Sequence, residues 1–191
     1  RLLGYTAGEG ANARVFVAIR ALEDSARTDP PLLDTGTMLL TRPEADKGLG
    51  LLPGSLRPDP TKIGEILRAG VRVFETMEPI TSLRVARNRM TFHAWGASAC
   101  CLEPGTTSAH LVGTLAATGL KAGDVLILEE LIPLGGSPFY PPDPAHRHAV
   151  RLDRAPVELI DPLVEDEPSS HILEIHWHLA DALPFALNIA P

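Results

Sequence analysis

Four histidines offer the best case for chemistry in this chain. His146 with His148, and His176 with His178, form two His-x-His pairs. On a strand, residues i and i+2 aim at one face, and two imidazoles so placed supply half of a metal site. Their neighbours weaken that reading. Leu173, Ile175, Trp177 and Leu179 make a continuous apolar face, which leaves His176 and His178 opposite it beside Glu174. In the first pair, His148 is in phase with Val150 and Leu152 and continues an apolar stripe, while Arg147 and Arg151 take the polar side. Set side by side, the two strands would point their pairs at opposite faces, and only a bulge or a contact between two sheets would unite them. The expectation is therefore histidines as polar packing residues, with no metal ligand, catalytic residue or cofactor-binding residue assigned.

The other reactive types fare no better. Glu129-Glu130 and Glu165-Asp166-Glu167 are neighbours in sequence, whereas acid catalysis needs carboxyls converging across a cleft with separated pKa values. A solvated strand end and a solvated turn are the expected settings. Cys100 and Cys101 are the only cysteines. Adjacent strand residues point to opposite faces, so they are expected as free thiols on small buried side chains rather than as a disulfide. Gly8-Glu9-Gly10 precedes a strand rather than a helix, the wrong context for a phosphate cradle, and no serine nucleophile elbow or Walker loop is present. Tyr5, Trp95, Phe139, Tyr140 and Trp177 are too dispersed for a base-stacking platform. Trp177 is expected in the core. Phe139-Tyr140, in a proline-rich loop, either anchors a neighbouring subunit or folds back over its own domain.

The elements that must position these residues are mostly strands. Short apolar runs broken by 18 prolines and 16 glycines favour a mainly β architecture, with sandwich- or barrel-like modules, one short helix and long Pro/Gly-rich loops. Candidate strands are 13–19, 37–41, 71–77, 90–95, 110–115 and 124–130, followed by the HAVRL and ILEIHWHL phrases. The helix is expected at 61–69. Thr61 suits the N-cap, Ile63, Ile66 and Leu67 share one face, and Gly70 suits the position just past the end. Residues 43–60 and 133–145 read as surface loops. A soft boundary near residue 90 divides an N-terminal β module, 1–90, from a C-terminal one, 91–191.

With 45% apolar residues, a chain of 191 can bury a core. Seventeen basic against 24 acidic residues give a net charge of −7, and the basic residues are scattered, which argues against nucleic-acid binding. No apolar run approaches the roughly 18 residues of a membrane span. Neither membrane insertion nor a secretory leader is expected, and the ends read as those of a segment from a longer polypeptide.

Several phrases stand in a telling order: GDVLILEE at 123–130, DPAHRHAVRL at 143–152, the Asp161-Pro162-Leu163 turn, and ILEIHWHLADALPF at 172–185. Upstream stand NARVFVAI, LLDTGTMLL, VFETMEPI at 73–80 and WGASACCLEPGTT at 95–107. Together they resemble the J-like baseplate wedge proteins of contractile phage tails and of phage-tail-like extracellular contractile injection systems. The resemblance implies a structural, non-enzymatic component that assembles in multiple copies around a central hub and spike, meets other wedge subunits and sheath-proximal proteins, and couples baseplate rearrangement to sheath contraction. It places the chain in the baseplate of such a particle, assembled in the bacterial cytoplasm and extracellular after release. The rivals are a cupin-like metal-dependent enzyme using the His-x-His pairs and an isolated β binding module.

Overall fold

The computed structural model describes residues 13–41, 64, 68, 70–98, 100–131, 142–164 and 170–189. The fold is mainly β, in small sheets, and none of them closes into a sandwich or barrel among the described residues. Two compact units emerge, Ala21–Leu83 and Arg84–Pro191, the latter with Arg1–Arg20.

The smaller unit carries β1 (Ser25–Ala26), β2 (Met38–Leu40), β3 (Val73–Glu75) and β4 (Ser82–Leu83). β1 pairs with β4, and β2 with β3, both antiparallel. The turn before β2 is tied to the residue after β3. Thr76 donates its hydroxyl to the Asp34 carbonyl at 2.6 Å and accepts from the Thr37 amide at 2.9 Å. Gly36, at φ 77°, brings its own amide to the Thr76 carbonyl, a backbone conformation that an L side chain would strain. Of the expected helix at 61–69, Gly64 and Arg68 are helical, and its remaining residues lie outside the described ones. Gly70 follows at φ 78°, as an αL helix terminator requires.

In the larger unit β5 (Cys101–Leu102) pairs with β11 (Leu187–Asn188). β6 (Ser108–Val112), β10 (His171–His176) and β9 (Val157–Ile160) form an antiparallel sheet with β10 in the centre. Residues 91–93 run along the free side of β6 through a Phe92–Leu111 bridge and the His93 and Val112 amides. β7 (Val125–Glu129) and β8 (Arg147–Arg151) make a hairpin. A single helical turn, Leu115–Thr118, starts on the Thr114 hydroxyl, which accepts from the Ala117 amide. It ends at Gly119, φ 59°, where Arg84 and Arg87 donate to the carbonyls of residues 116–119. Cationic donors suit the orphan carbonyls and the negative end of that turn.

Alternation explains the core. Leu173, Ile175 and Trp177 share one face of β10 and its extension, and they meet Ala109 and Leu111 of β6, Leu128 of β7, and Val150 and Leu152 at β8. Leu120, Leu183 and Leu187 complete the cluster. Ile172, on the other face of β10, is also fully buried, so the central strand is covered on both sides there. Each fully buried Leu or Ile contributes about 1.5–3 kcal/mol over its exposed state. Residues 13–19, expected as a strand, form none. β propensity without a partner to complete the ladder does not make a strand.

Ile175→Ala should therefore lower unfolding free energy by about 2–5 kcal/mol through transfer and cavity terms. Ile160→Ala, at a side chain 66% exposed, should stay within about 0.5 kcal/mol. Urea denaturation at matched m values measures both, and equal costs would contradict this placement of the core.

Candidate functional site

The first histidine pair sits at the open end of the β7–β8 hairpin. Alternation along β7 puts Leu126, Leu128 and Glu130 in one phase, and along β8 His146, His148, Val150 and Leu152 in the facing one. Glu130 is thus not a solvated strand end. It is 5% exposed, continuing the buried stripe one step beyond its last apolar member. Its carboxylate is satisfied by the His146 Nδ1 at 2.6 Å and by the Asp143 amide at 3.2 Å. Glu129, in the outward phase, pairs with Arg147 directly across the ladder at 2.5 Å, in solvent.

The closing segment caps this end. Phe185 stacks on His146, with ring centroids 4.5 Å apart and planes at 14°, and meets His148 edge-on at 6.4 Å. The His148 Nε2 lies 3.0 Å from the Asp181 carbonyl, and the Asp181 carboxylate accepts the Arg151 amide at 3.0 Å. Asp181 belongs to a 3₁₀ turn, Leu179–Asp181, that follows β10. Both rings of the first pair therefore converge on Phe185.

The second pair goes elsewhere. His176 bonds Glu174 at 3.0 Å, and His178 is exposed at the start of the 3₁₀ turn. Leu179, expected on the apolar face, is 82% exposed because the chain leaves the strand there. Among the described residues, no group of three or more His, Cys, Asp or Glu side chains is arranged to hold a metal ion.

A second polar cluster escaped sequence reading. Asp161, at the expected Asp-Pro-Leu turn, is 3% exposed. One carboxylate oxygen accepts the Leu163 amide at 2.9 Å, and the other lies 3.3 Å from the His93 Nε2. The His93 Nδ1 accepts the Trp95 amide at 3.2 Å, so both imidazole nitrogens are occupied and neither is left to activate a nucleophile. Trp95 stands edge-on to His93 and His110, at 5.0 and 5.2 Å. It sits at φ 53° beside Gly96 at φ 75°, in a tight turn closed by the Ala97 amide on the Ala94 carbonyl. Left-handed backbone at a non-glycine residue costs about 1–2 kcal/mol. His110 lies opposite Glu174 on β10. The only sequence signal for this cluster is the lone aspartate in a turn, which ordinarily reads as a local Asx bond to its own backbone.

The two imidazole environments shift titration in opposite directions. The hydrogen bond it donates to Glu130 holds His146 above its ordinary value, against some desolvation, with the charges of Glu130 and Asp143 assisting. Burial pushes His110 down, against the pull of Glu174 and with the help of His93 and His176. Cys101 is raised as well, chiefly because its thiol donates to Glu103 at 3.4 Å. Both cysteines are free thiols, Cys100 half-buried and Cys101 exposed, so the expectation of two buried side chains fails. β5 is a two-residue strand too short to cover them.

Residues 43–60, residues 132–141 with Phe139-Tyr140, Glu165-Asp166-Glu167, Tyr5, and the Gly8-Glu9-Gly10 phrase lie outside the described residues. The chain matches no protein-family model, no curated protein sequence and no solved structure.

NMR titration of the imidazole resonances should give His146 a midpoint above about 6.5 and His110 one below it. By linkage, the stabilisation from His146 is complete below its unfolded-state pKa and lost as pH rises through its folded value. That from His110 is complete above its unfolded-state pKa and lost as pH falls through its folded value. Reversed midpoints would refute both environments. In a second test, iodoacetamide at mildly alkaline pH should label Cys101 more slowly than a model thiol, and Glu103→Gln should speed the reaction. An unchanged rate in that variant would remove Glu103 as the cause.

Proposed function

We propose that this chain is a structural subunit of a baseplate wedge in a contractile injection system or phage tail, built around a central hub and spike. It works by contact, joining neighbouring wedge and sheath-proximal proteins and passing baseplate rearrangement on to the sheath. The ordered phrases carry the resemblance. The observation that best supports a mechanical reading is what the polar residues within those phrases do. Glu130 and His146 seal one end of a hairpin, and Glu129 and Arg147 pair across it. His148 and Asp181 fasten the closing phrase to that hairpin, and Phe185 stacks on it. Upstream, Thr76 of one phrase is bonded to Asp34 and Thr37 of another. Groups occupied in this way supply rigidity, which a force-bearing subunit needs, and leave few side chains for turnover.

A tagged chain expressed in its source organism should sediment with large sheathed particles, and electron microscopy should find the tag at one end of them. Assembly of such particles with the chain left among small soluble species would overturn the proposal.

A further inference from the structure

The open end of the β7–β8 hairpin joins three parts of the larger unit at one imidazole. Glu130 follows β7, His146 precedes β8, and Phe185 comes from the closing segment. The Glu130 side chain is 3% exposed, and the His146 Nδ1 is bonded to it at 2.6 Å. A buried carboxylate without a cationic partner is costly, so the charge on His146 decides how firmly Glu130 is held. The same ring lies face to face with Phe185. An aromatic face attracts a cation placed over it and lacks that attraction for a neutral ring. One proton therefore strengthens both contacts. The other charged groups nearby support it. The Asp143 carboxylate lies 3.8 Å from the His146 Nε2, and Asp181 adds a negative charge in the 3₁₀ turn. Glu129 and Arg147 pair with each other on the outer face of the hairpin. His148 shares Phe185 with His146, but it donates from Nε2 to the Asp181 carbonyl, which can only accept, so that contact persists in either charge state.

We propose that His146 is a proton-operated catch: its charged ring clamps the end of the hairpin to Phe185, and its neutral ring lets the two separate, with Glu130 turning toward solvent. The sign follows from the partners. Because the bonded carboxylate holds His146 above its ordinary value, the clamp is complete below the unfolded-state value and is lost as pH rises through the folded one. A mildly acidic medium thus tightens this end of the hairpin, and a mildly alkaline one frees it. The movement is local. Leu183 and Leu187 stay in the core, the Leu183 backbone keeps its bonds to Gly105 and Thr106, and Asp181 keeps the closing segment on β8. Only Glu130, the turn from Asp143 to His146 and the Phe185 ring change place. The inference is independent of the baseplate reading, since it concerns the purified chain alone.

The test is amide hydrogen exchange of the full chain, followed by NMR from about pH 5.5 to about pH 8.5 and corrected for the intrinsic rate at each pH. Two amides report the catch: that of Glu130, bonded to the His146 carbonyl, and that of Asp143, bonded to the Glu130 carboxylate. The Trp177 amide, bonded to the Thr107 carbonyl, reports the rest of the unit. Protection of the first two should fall about tenfold across the His146 midpoint, the difference between a charge-assisted hydrogen bond and a neutral one, while that of Trp177 stays level. In His146→Gln the drop should vanish, although every other histidine still titrates. Glu130→Gln, which keeps the shape and removes the buried charge, should flatten the profile in the same way, and it stands in if the first variant loses its cooperative unfolding transition. Level protection at Glu130 and Asp143 in the wild type would overturn the proposal. So would a drop that survives in a folded variant, or one that Trp177 shares in full.

Discussion

The larger unit depends on a seam between two β systems, made where the end of β8 runs onto the end of β10. Leu152 and Trp177 face each other across an isolated antiparallel bridge, the Asp153 amide bonds the His176 carbonyl, and the His178 amide bonds the Arg151 carbonyl. Trp177 also donates its own amide to Thr107, next to β6. One residue thus ties the hairpin to the three-stranded sheet while its ring fills the cluster between them, 2% exposed. Its indole Nε1 has no hydrogen-bond partner among the described residues. Such a buried, unpaired N–H costs about 1–3 kcal/mol. The large apolar surface of the indole offsets that cost, which is why the position tolerates it.

From that seam outward, the polar residues act as terminators of apolar stripes. A buried carboxylate is tolerable only when it is fully bonded, and Glu130 is bonded by an imidazole and a backbone amide. Its partner His146 is in turn covered by Phe185. The closing phrase is therefore held at three levels: the Asp181 bonds to β8, the Leu183 exchange with Gly105 and Thr106, and the stacked ring. Leu183 and Leu187 enter the same core from that phrase. A chain fastened this way transmits displacement of one element to the next, a property that fits the wedge role we propose.

Much of this was legible from alternation. The apolar run of DVLILEE and the period-2 patterns of HAVRL and ILEIHWH mark β7, β8 and β10, and the phase of His148 with Val150 and Leu152 is the one observed. What escaped has identifiable physical reasons. Glu130 was assigned to solvent by its charge, although its phase with Leu126 and Leu128 already placed it inside. β9 carries Glu158 in a short run of only moderate hydrophobicity, and it is a strand because β10 completes its ladder. Residues 13–19 show the converse, with strong propensity and no ladder. Trp95 occupies a backbone conformation that its residue type disfavours, so no propensity argument could place it. The Asp161–His93 contact joins residues far apart in sequence, and nothing in either local pattern announces it.

The central claim is that the histidine-rich phrases are fasteners of the fold, and a double-mutant cycle on Glu130 and His146 tests it most directly. Unfolding free energies would be measured for Glu130→Gln, His146→Gln and the double variant. The account predicts that each single variant is destabilised and that the double costs little more than either one, because the second substitution removes a partner already lost. Single variants as stable as wild type, or two losses that simply add, would contradict it.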